Sequence, residues 1–360
     1  MRNMRGKRMA AIGVIGGLAL VAAACGEAPE DNAADVEIDF KGCMVTDVGG
    51  IDDRSFNTSA WEGMNAAAEE QPSIEVEYKK SESDKDYEPN LKAFMKDDCD
   101  IIVAVGGLMY DATKAVAEAN PDQQFAIIDA NLADSANGNV ISMEFNAAEP
   151  SFLAGYLAAA TSETGKVATF GGAKIAPVTV FMDGFVEGVD EYNKAHDADV
   201  KVLGWNPETQ EGSFTGDFQD MEEGKRQTEN FVSQGADVIF PVAGGSGLGA
   251  PTVTKDDDSL SVIWVDIDGC KSAAEHCDQF LTTSEKNIAD AVQQTLLDVR
   301  DGKADKGGRT VGTLENGGVS LAEYRDDIPQ EVIDEIAEVQ AKIVSGEITI
   351  KSAAQPAPVD

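Results

Sequence analysis

Short apolar runs alternate along the chain with longer stretches whose apolar residues fall three and four apart. The runs predict strands at 43–46, 73–78, 100–105 and 124–128, with helices near 57–70, 86–97 and 110–119 between them. The pattern then restarts: strands at 166–170, 199–204, 237–241 and 261–265, helices near 177–194, 221–233 and 246–255. Such alternation predicts parallel sheets covered by helices, an α/β architecture. A helix near 285–300, the segment "GGVSL" and an amphipathic helix near 329–344 follow. The tail 351–360 reads as disordered. At 360 residues, two lobes are also the expectation from length.

The two halves share a plan beyond alternation. "DIIVAVGG" (100–107) and "DVIFPVAGG" (237–245) both run Asp, apolar strand, Gly-Gly. Each leads to a strand ending in Asp, "FAIIDA" with Asp129 and "VIWVDID" with Asp266. The first strands also correspond, "MVTDVGG" ending at Gly49–Gly50 and "VATFGG" at Gly171–Gly172. The second half carries extra residues around 206–220, whose Gly, Asn, Thr and Ser content predicts an exposed loop.

In open parallel sheets, ligands bind beyond the carboxyl ends of the strands. Those ends carry Asp47, Gly49, Gly106, Asp129, Gly171, Gly244 and Asp266. Two lobes with facing strand ends make a cleft for a small molecule. Phe56 follows the first strand, beside Ser55 and Asn57, either of which can cap the next helix. It lies off the stripe of Trp61, Met64, Ala67 and Ala68, which predicts a core face. Phe56 is then either a stacking platform in the cleft or a staple at the helix entry. Asp129 and Asp266 can accept from sugar hydroxyls or ring N–H groups, their matched positions favouring a cleft role over a turn role. Lys286 is read as opening a helix. There it can donate to a ligand, pair with Asp266 or sit in solvent.

Charge narrows the partners. The chain has 28 basic and 65 acidic residues, a formal charge of -37. Arg2, Arg5, Lys7 and Arg8 fall in residues 1–24, which hold no acid, so the rest carries -41. A surface of this sign repels phosphate backbones, which argues against nucleic acid, and against an anionic ligand without local cations. Residues 1–24 combine a basic start, an apolar stretch and small residues before Cys25, the pattern of a signal peptide. "VAAAC" resembles a lipobox, which makes Cys25 a lipidation candidate and 25–38 a tether on the outer face of the cell membrane. Export permits disulfides. Cys43 and Cys99 each begin a predicted strand, and Cys270 and Cys277 share a loop, so the expected pairs are 43–99 and 270–277. Cys270, His276 and Cys277 supply too few ligands for zinc, and no metal or cofactor is expected. Only two histidines are present, and no nucleophile-elbow, zinc-protease or Walker motif occurs. An enzyme is not expected.

From "TDVGGIDDRSFNTSAWEG" (46–63) onward the sequence resembles the basic membrane protein family, the purine nucleoside receptors of ABC importers. The likeness runs through "EPSFLAGYLAAA", "GKVATFGG", "FMDGFVEGV", "FQDMEEGKRQT", "GADVIFPVAGGSG" and "TTSEKN", over roughly 40–345. It implies a type I periplasmic-binding fold, two doubly wound lobes joined by three crossovers. Lobe I is placed at 39–145 and 283–313, lobe II at 146–282 and 314–350. It implies that Phe56 stacks on one face of a base. Phe240 is the best match for the opposite ring, with Phe181 and Phe218 as substitutes. Asp47 and Asn57 would contact the base edge or line the pocket, Asp129 would accept from the base, and Gly244, Asp266 and Lys286 would hold the ribose. The implied partners are a purine nucleoside and an ABC permease, with the receptor acting as a monomer. A receptor for another neutral solute such as a sugar is the alternative, ahead of a nucleoside-cleaving enzyme or a surface signalling protein.

Overall fold

The computed structural model describes residues 37–134 and 137–359. The signal segment and Cys25 lie outside the described residues. Strands β1 (Phe40–Val45), β2 (Ile74–Lys79), β3 (Ile101–Val105), β4 (Gln124–Ile128) and β5 (Val140–Phe145) alternate with helices α1 (Phe56–Glu70), α2 (Tyr87–Phe94) and α3 (Tyr110–Ala119). Then come α4 (Ala148–Thr161), β6 (Lys166–Gly171), α5 (Ala176–His196), β7 (Lys201–Leu203) and the ribbon strands β8 (Trp205–Asn206) and β9 (Glu211–Gly212). Helix α6 (Met221–Ser233), β10 (Val238–Val242), the short helices α7 (Gly244–Gly247) and α8 (Gly249–Thr254) and β11 (Ser261–Asp266) follow. The chain closes with α9 (Gly269–Ser272), β12 (Phe280–Lys286), α10 (Ile288–Arg300), β13 (Arg309–Gly312), β14 (Val319–Leu321) and α11 (Gln330–Val344).

Two six-stranded sheets result. The first has the order β13-β5-β4-β3-β1-β2, the second β14-β12-β11-β10-β6-β7. All pairings within the two are parallel except β12 with β14. The central strands are apolar on both faces, as a sheet covered by helices on both sides requires: every residue of β3 and β10 is buried. The chain passes between lobes three times, from β5 to α4, from β12 to α10 and from β13 to β14. Residues Thr283–Lys286, assigned to lobe I from sequence, are instead strand of the second sheet. The crossing therefore falls at Asn287, and helix α10 begins at Ile288 rather than near 285.

The lobe II core rests on an unusually close helix pair. A Cβ on Gly188 would stand 1.9 Å from the Phe152 carbonyl oxygen, and one on Gly155 2.0 Å from that of Phe185. Glycine at these positions lets α4 and α5 meet backbone to backbone. Helix α4 is buried nearly all round, so it lacks the one-sided stripe that marks a surface helix.

Disulfides join Cys43 to Cys99 and Cys270 to Cys277. The first ties the start of β3 to its neighbour β1, and the second closes a small loop on lobe II. The tail departs from its expected disorder through residue 359. The Lys351 amide donates to Glu187 at 2.8 Å and the Ser352 hydroxyl to Asp183 at 2.5 Å, both on α5. The Arg309 guanidinium, on β13 in the other sheet, donates to the carbonyls of Ala357 and Pro358 at 2.7 and 3.2 Å. The tail thus bonds to both lobes, because its carbonyls meet a cation and its amide and hydroxyl meet carboxylates.

Candidate functional site

A cavity lies between the carboxyl ends of the two sheets. Each lobe contributes matched parts. Asp129 follows β4 and Asp266 ends β11, and both adopt the left-handed backbone, φ 60° and 69°. Such a conformation is strained for a non-glycine residue and is a mark of functional sites. Gly106 follows β3 with φ 112°. A Cβ there would stand 2.9 Å from the Asp47 carboxylate and 3.3 Å from the Phe56 ring, so only glycine lets these two side chains converge.

Three rings line the cavity: Phe56 from lobe I, Phe181 and Phe218 from lobe II. Phe240 does not. It is fully buried, stacked on Phe185 with centroids 4.9 Å apart and tilted against Phe181 at 6.3 Å. A residue in the middle of a central strand points into a helix layer, so Phe240 backs the wall that Phe181 forms. Phe218 reaches the cavity because the 206–220 segment is not a loose loop. Its start pairs as the β8–β9 ribbon, Phe214 bridges to Gly171, and the Phe218 ring lies against Gly172.

Polar groups gather between the rings. Lys286, the last residue of β12 rather than the first of a helix, donates to Asp129 at 2.5 Å and lies 3.9 Å from Asp266. Its ammonium sits 4.8 Å from the Phe181 ring centre and 5.2 Å from that of Phe56, within reach of a cation–π attraction. The Ser55 hydroxyl donates to the other Asp266 oxygen at 2.5 Å. Ser55 and Asp129 belong to lobe I, Asp266 and Lys286 to lobe II, so these bonds hold the lobes together. The rim adds two more: Arg54 donates to the Ser272 carbonyl at 2.6 Å, and the Trp264 indole donates to the Arg54 carbonyl at 3.1 Å.

The carboxylates are far from their ordinary state. Burial pushes Asp47 up to about 7, opposed by hydrogen bonds from Asn57 and the Gly49 amide. Burial raises Asp266 to about 6, opposed by Lys286 and Ser55. Asp129 is raised by burial and drawn back by Lys286. Asp129 and Asp266, desolvated and held by the Lys286 ammonium, are ready acceptors for hydroxyl and N–H donors.

The predicted residues Asp47, Phe56, Asn57, Asp129, Gly244, Asp266 and Lys286 all line this one cavity; Phe240 stands behind it. Sequence reading missed Asp53. Its carboxylate accepts from the amides of Ser55, Asn57 and Thr58 and from the Asn57 and Thr58 side chains. Neither Ser55 nor Asn57 caps α1 through its side chain; Asp53 serves its first turn. The signal was present, an Asp shortly before the first helical residue, but two candidate caps lay nearer.

Residues 40–354 match the model of a family described as ABC transporter substrate-binding protein PnrA-like. The chain is 33% identical over 350 residues to the CD4+ T-cell-stimulating antigen of Listeria innocua, covering 92% of this chain and 94% of that protein. It is 31% identical over 365 residues to the ABC transporter nucleoside-binding protein BmpA of Lactococcus lactis, covering 96% and 99%. Among solved structures, an ABC transporter solute-binding protein of Aeropyrum pernix superposes with a TM-score of 0.75 at 26% identity, over 86% of this chain and 92% of the other.

Proposed function

Given that the chain belongs to the PnrA-like family of ABC transporter substrate-binding proteins, we propose that its cargo is a purine nucleoside, held in the interlobe cavity and released unchanged. The observation that carries this reading is the meeting of rings from both lobes around buried acids and one lysine. Phe56 of one lobe and Phe181 and Phe218 of the other line the same cavity, a setting for a flat heterocycle. Asp129, Asp266 and Lys286 supply acceptors and a donor, as ribose hydroxyls require. Because the site is built from both lobes, a ligand that touches both favours the closed arrangement. A neutral nucleoside also suits acids that would repel a phosphate. The basic and apolar leader and the small residues before Cys25 support export and lipid attachment at that cysteine, with delivery to a membrane permease.

Calorimetry with a panel of nucleosides, free bases and sugars tests the reading. A purine nucleoside binds and is recovered intact, and Phe56→Ala weakens it at least about tenfold, the loss of one stacking face. Binding of a sugar with no response to any nucleoside overturns it.

A further inference from the structure

The polarity of the base-facing edge is fixed by a residue that need not touch the ligand. The Asn57 amide nitrogen lies 2.9 Å from Asp53 Oδ2 and 2.9 Å from Asp47 Oδ1. Asp53 also accepts from three backbone amides and the Thr58 hydroxyl, so both of its oxygens act as acceptors. Turning the amide over would set its oxygen against two carboxylates. The nitrogen therefore faces inward to the acids, and both of its protons are used. Asn57 Oδ1 is buried, on a residue 1% exposed that lines the cavity, and finds no donor among the described residues. An amide oxygen buried this way costs about 1–3 kcal/mol until something donates to it.

Asp47 is oriented in the same manner. Its Oδ1 accepts from the Gly49 amide and from Asn57, each at 2.9 Å. Its Oδ2 stands beside Gly106 and the Phe56 edge and accepts nothing from the described residues. Two acceptors, Asn57 Oδ1 and Asp47 Oδ2, are thus left for the cargo next to the stacking ring.

Resting on the nucleoside reading, we propose that this edge selects a 6-oxopurine nucleoside, with Asp53 as the positioning residue that sets the polarity. Guanosine presents N1–H and the 2-amino group as adjacent donors, and inosine presents N1–H. Once Asp47 is ionised, adenosine places an acceptor at N1 opposite oxygens that cannot donate to it, and is left with its 6-amino group as the donor on that edge. A site built to receive hydrogen bonds rejects the analogue that lacks the donor.

Titration calorimetry at about pH 8, where Asp47 has passed its raised value of about 7, compares guanosine, inosine, adenosine and 1-methylguanosine. Guanosine binds about tenfold or more tighter than adenosine, and N1-methylation removes most of that advantage. The Asp47→Asn variant is the sharper test. The Gly49 and Asn57 donors keep its oxygen in place, so its new amide nitrogen enters the cavity. The guanosine preference then falls by about tenfold or more and adenosine gains in absolute affinity. Asp53→Asn lets the Asn57 amide turn, and the guanosine-to-adenosine ratio drops toward one. A residue that merely caps the helix would weaken all ligands alike, and an unchanged ratio in Asp53→Asn refutes its positioning role. Equal affinity for guanosine and adenosine in the unaltered protein overturns the selectivity and leaves the nucleoside reading standing. Failure of every nucleoside to bind overturns both.

Discussion

Replacing Asp47 by Asn makes the ligand-free protein more stable, and only at neutral and higher pH. Asp47 is 6% exposed, and burial lifts its carboxyl from 3.8 to about 7. In the unfolded chain the group loses its proton near pH 4, while in the folded chain it keeps it until about pH 7. Across that window the folded state holds more protons, so stability falls as pH rises, and above it the loss is complete. The shift corresponds to about 4 kcal/mol. Asn preserves the acceptor for Gly49 and Asn57, and its unpaired amide nitrogen returns about 1–2 kcal/mol. A net gain of about 2–3 kcal/mol is expected at about pH 8, and none or a small loss at about pH 4. Urea unfolding of ligand-free protein and variant at both pH values reads the difference. A variant effect of the same size and sign at both pH values would refute the reasoning, since the cost would then not be that of burying a charge.

Three further outcomes follow from the same geometry. Phe218→Ala lowers nucleoside affinity with little change in unfolding midpoint, whereas Phe240→Ala lowers stability by about 3–5 kcal/mol as a cavity in the core; calorimetry and urea unfolding on the two variants separate lining from backing. Lys286→Met leaves Asp129 and Asp266 buried without their cation and costs about 3–5 kcal/mol at neutral pH. Because both acids reprotonate, most of that loss is recovered on acidification, which unfolding at about pH 4 and 8 reveals. Gly106→Ala forces a methyl to within 2.9 Å of Asp47 Oδ2 at φ 112°, and binding measured by calorimetry falls at least about tenfold, by at least 1.4 kcal/mol.

Much of this site was legible before any coordinates. The repeated strand-Gly-Gly and strand-Asp phrases placed Gly106, Asp129, Gly244 and Asp266 at strand ends, and the parallel-sheet rule carried them to one cleft. What failed did so for local reasons. Phe240 sits within a strand where alternate side chains point to opposite layers, and the apolar run "VIFPV" gives no sign of which layer faces ligand. Phe218 belongs to a segment whose polar composition reads as loop, though its aromatic residues are pinned by contact with glycines on β6 and beyond. Helix α4 escaped periodicity because it has no solvent face. Lys286 follows the polar run "TTSE", which hides its strand character from the apolar pattern; the antiparallel partner β14 makes it strand. Asp53 lost to nearer capping candidates, a choice that only the direction of hydrogen bonds could make.

The carboxyl-terminal segment carries a practical consequence. By bonding to α5 on one side and to Arg309 on the other, it couples the mutual orientation of the halves to a stretch of chain that contributes nothing to the cavity wall. A reporter or cross-linker attached there would register opening and shutting directly. Trimming the stretch offers a dial on how readily the receptor shuts, turned without altering a single atom that meets the cargo.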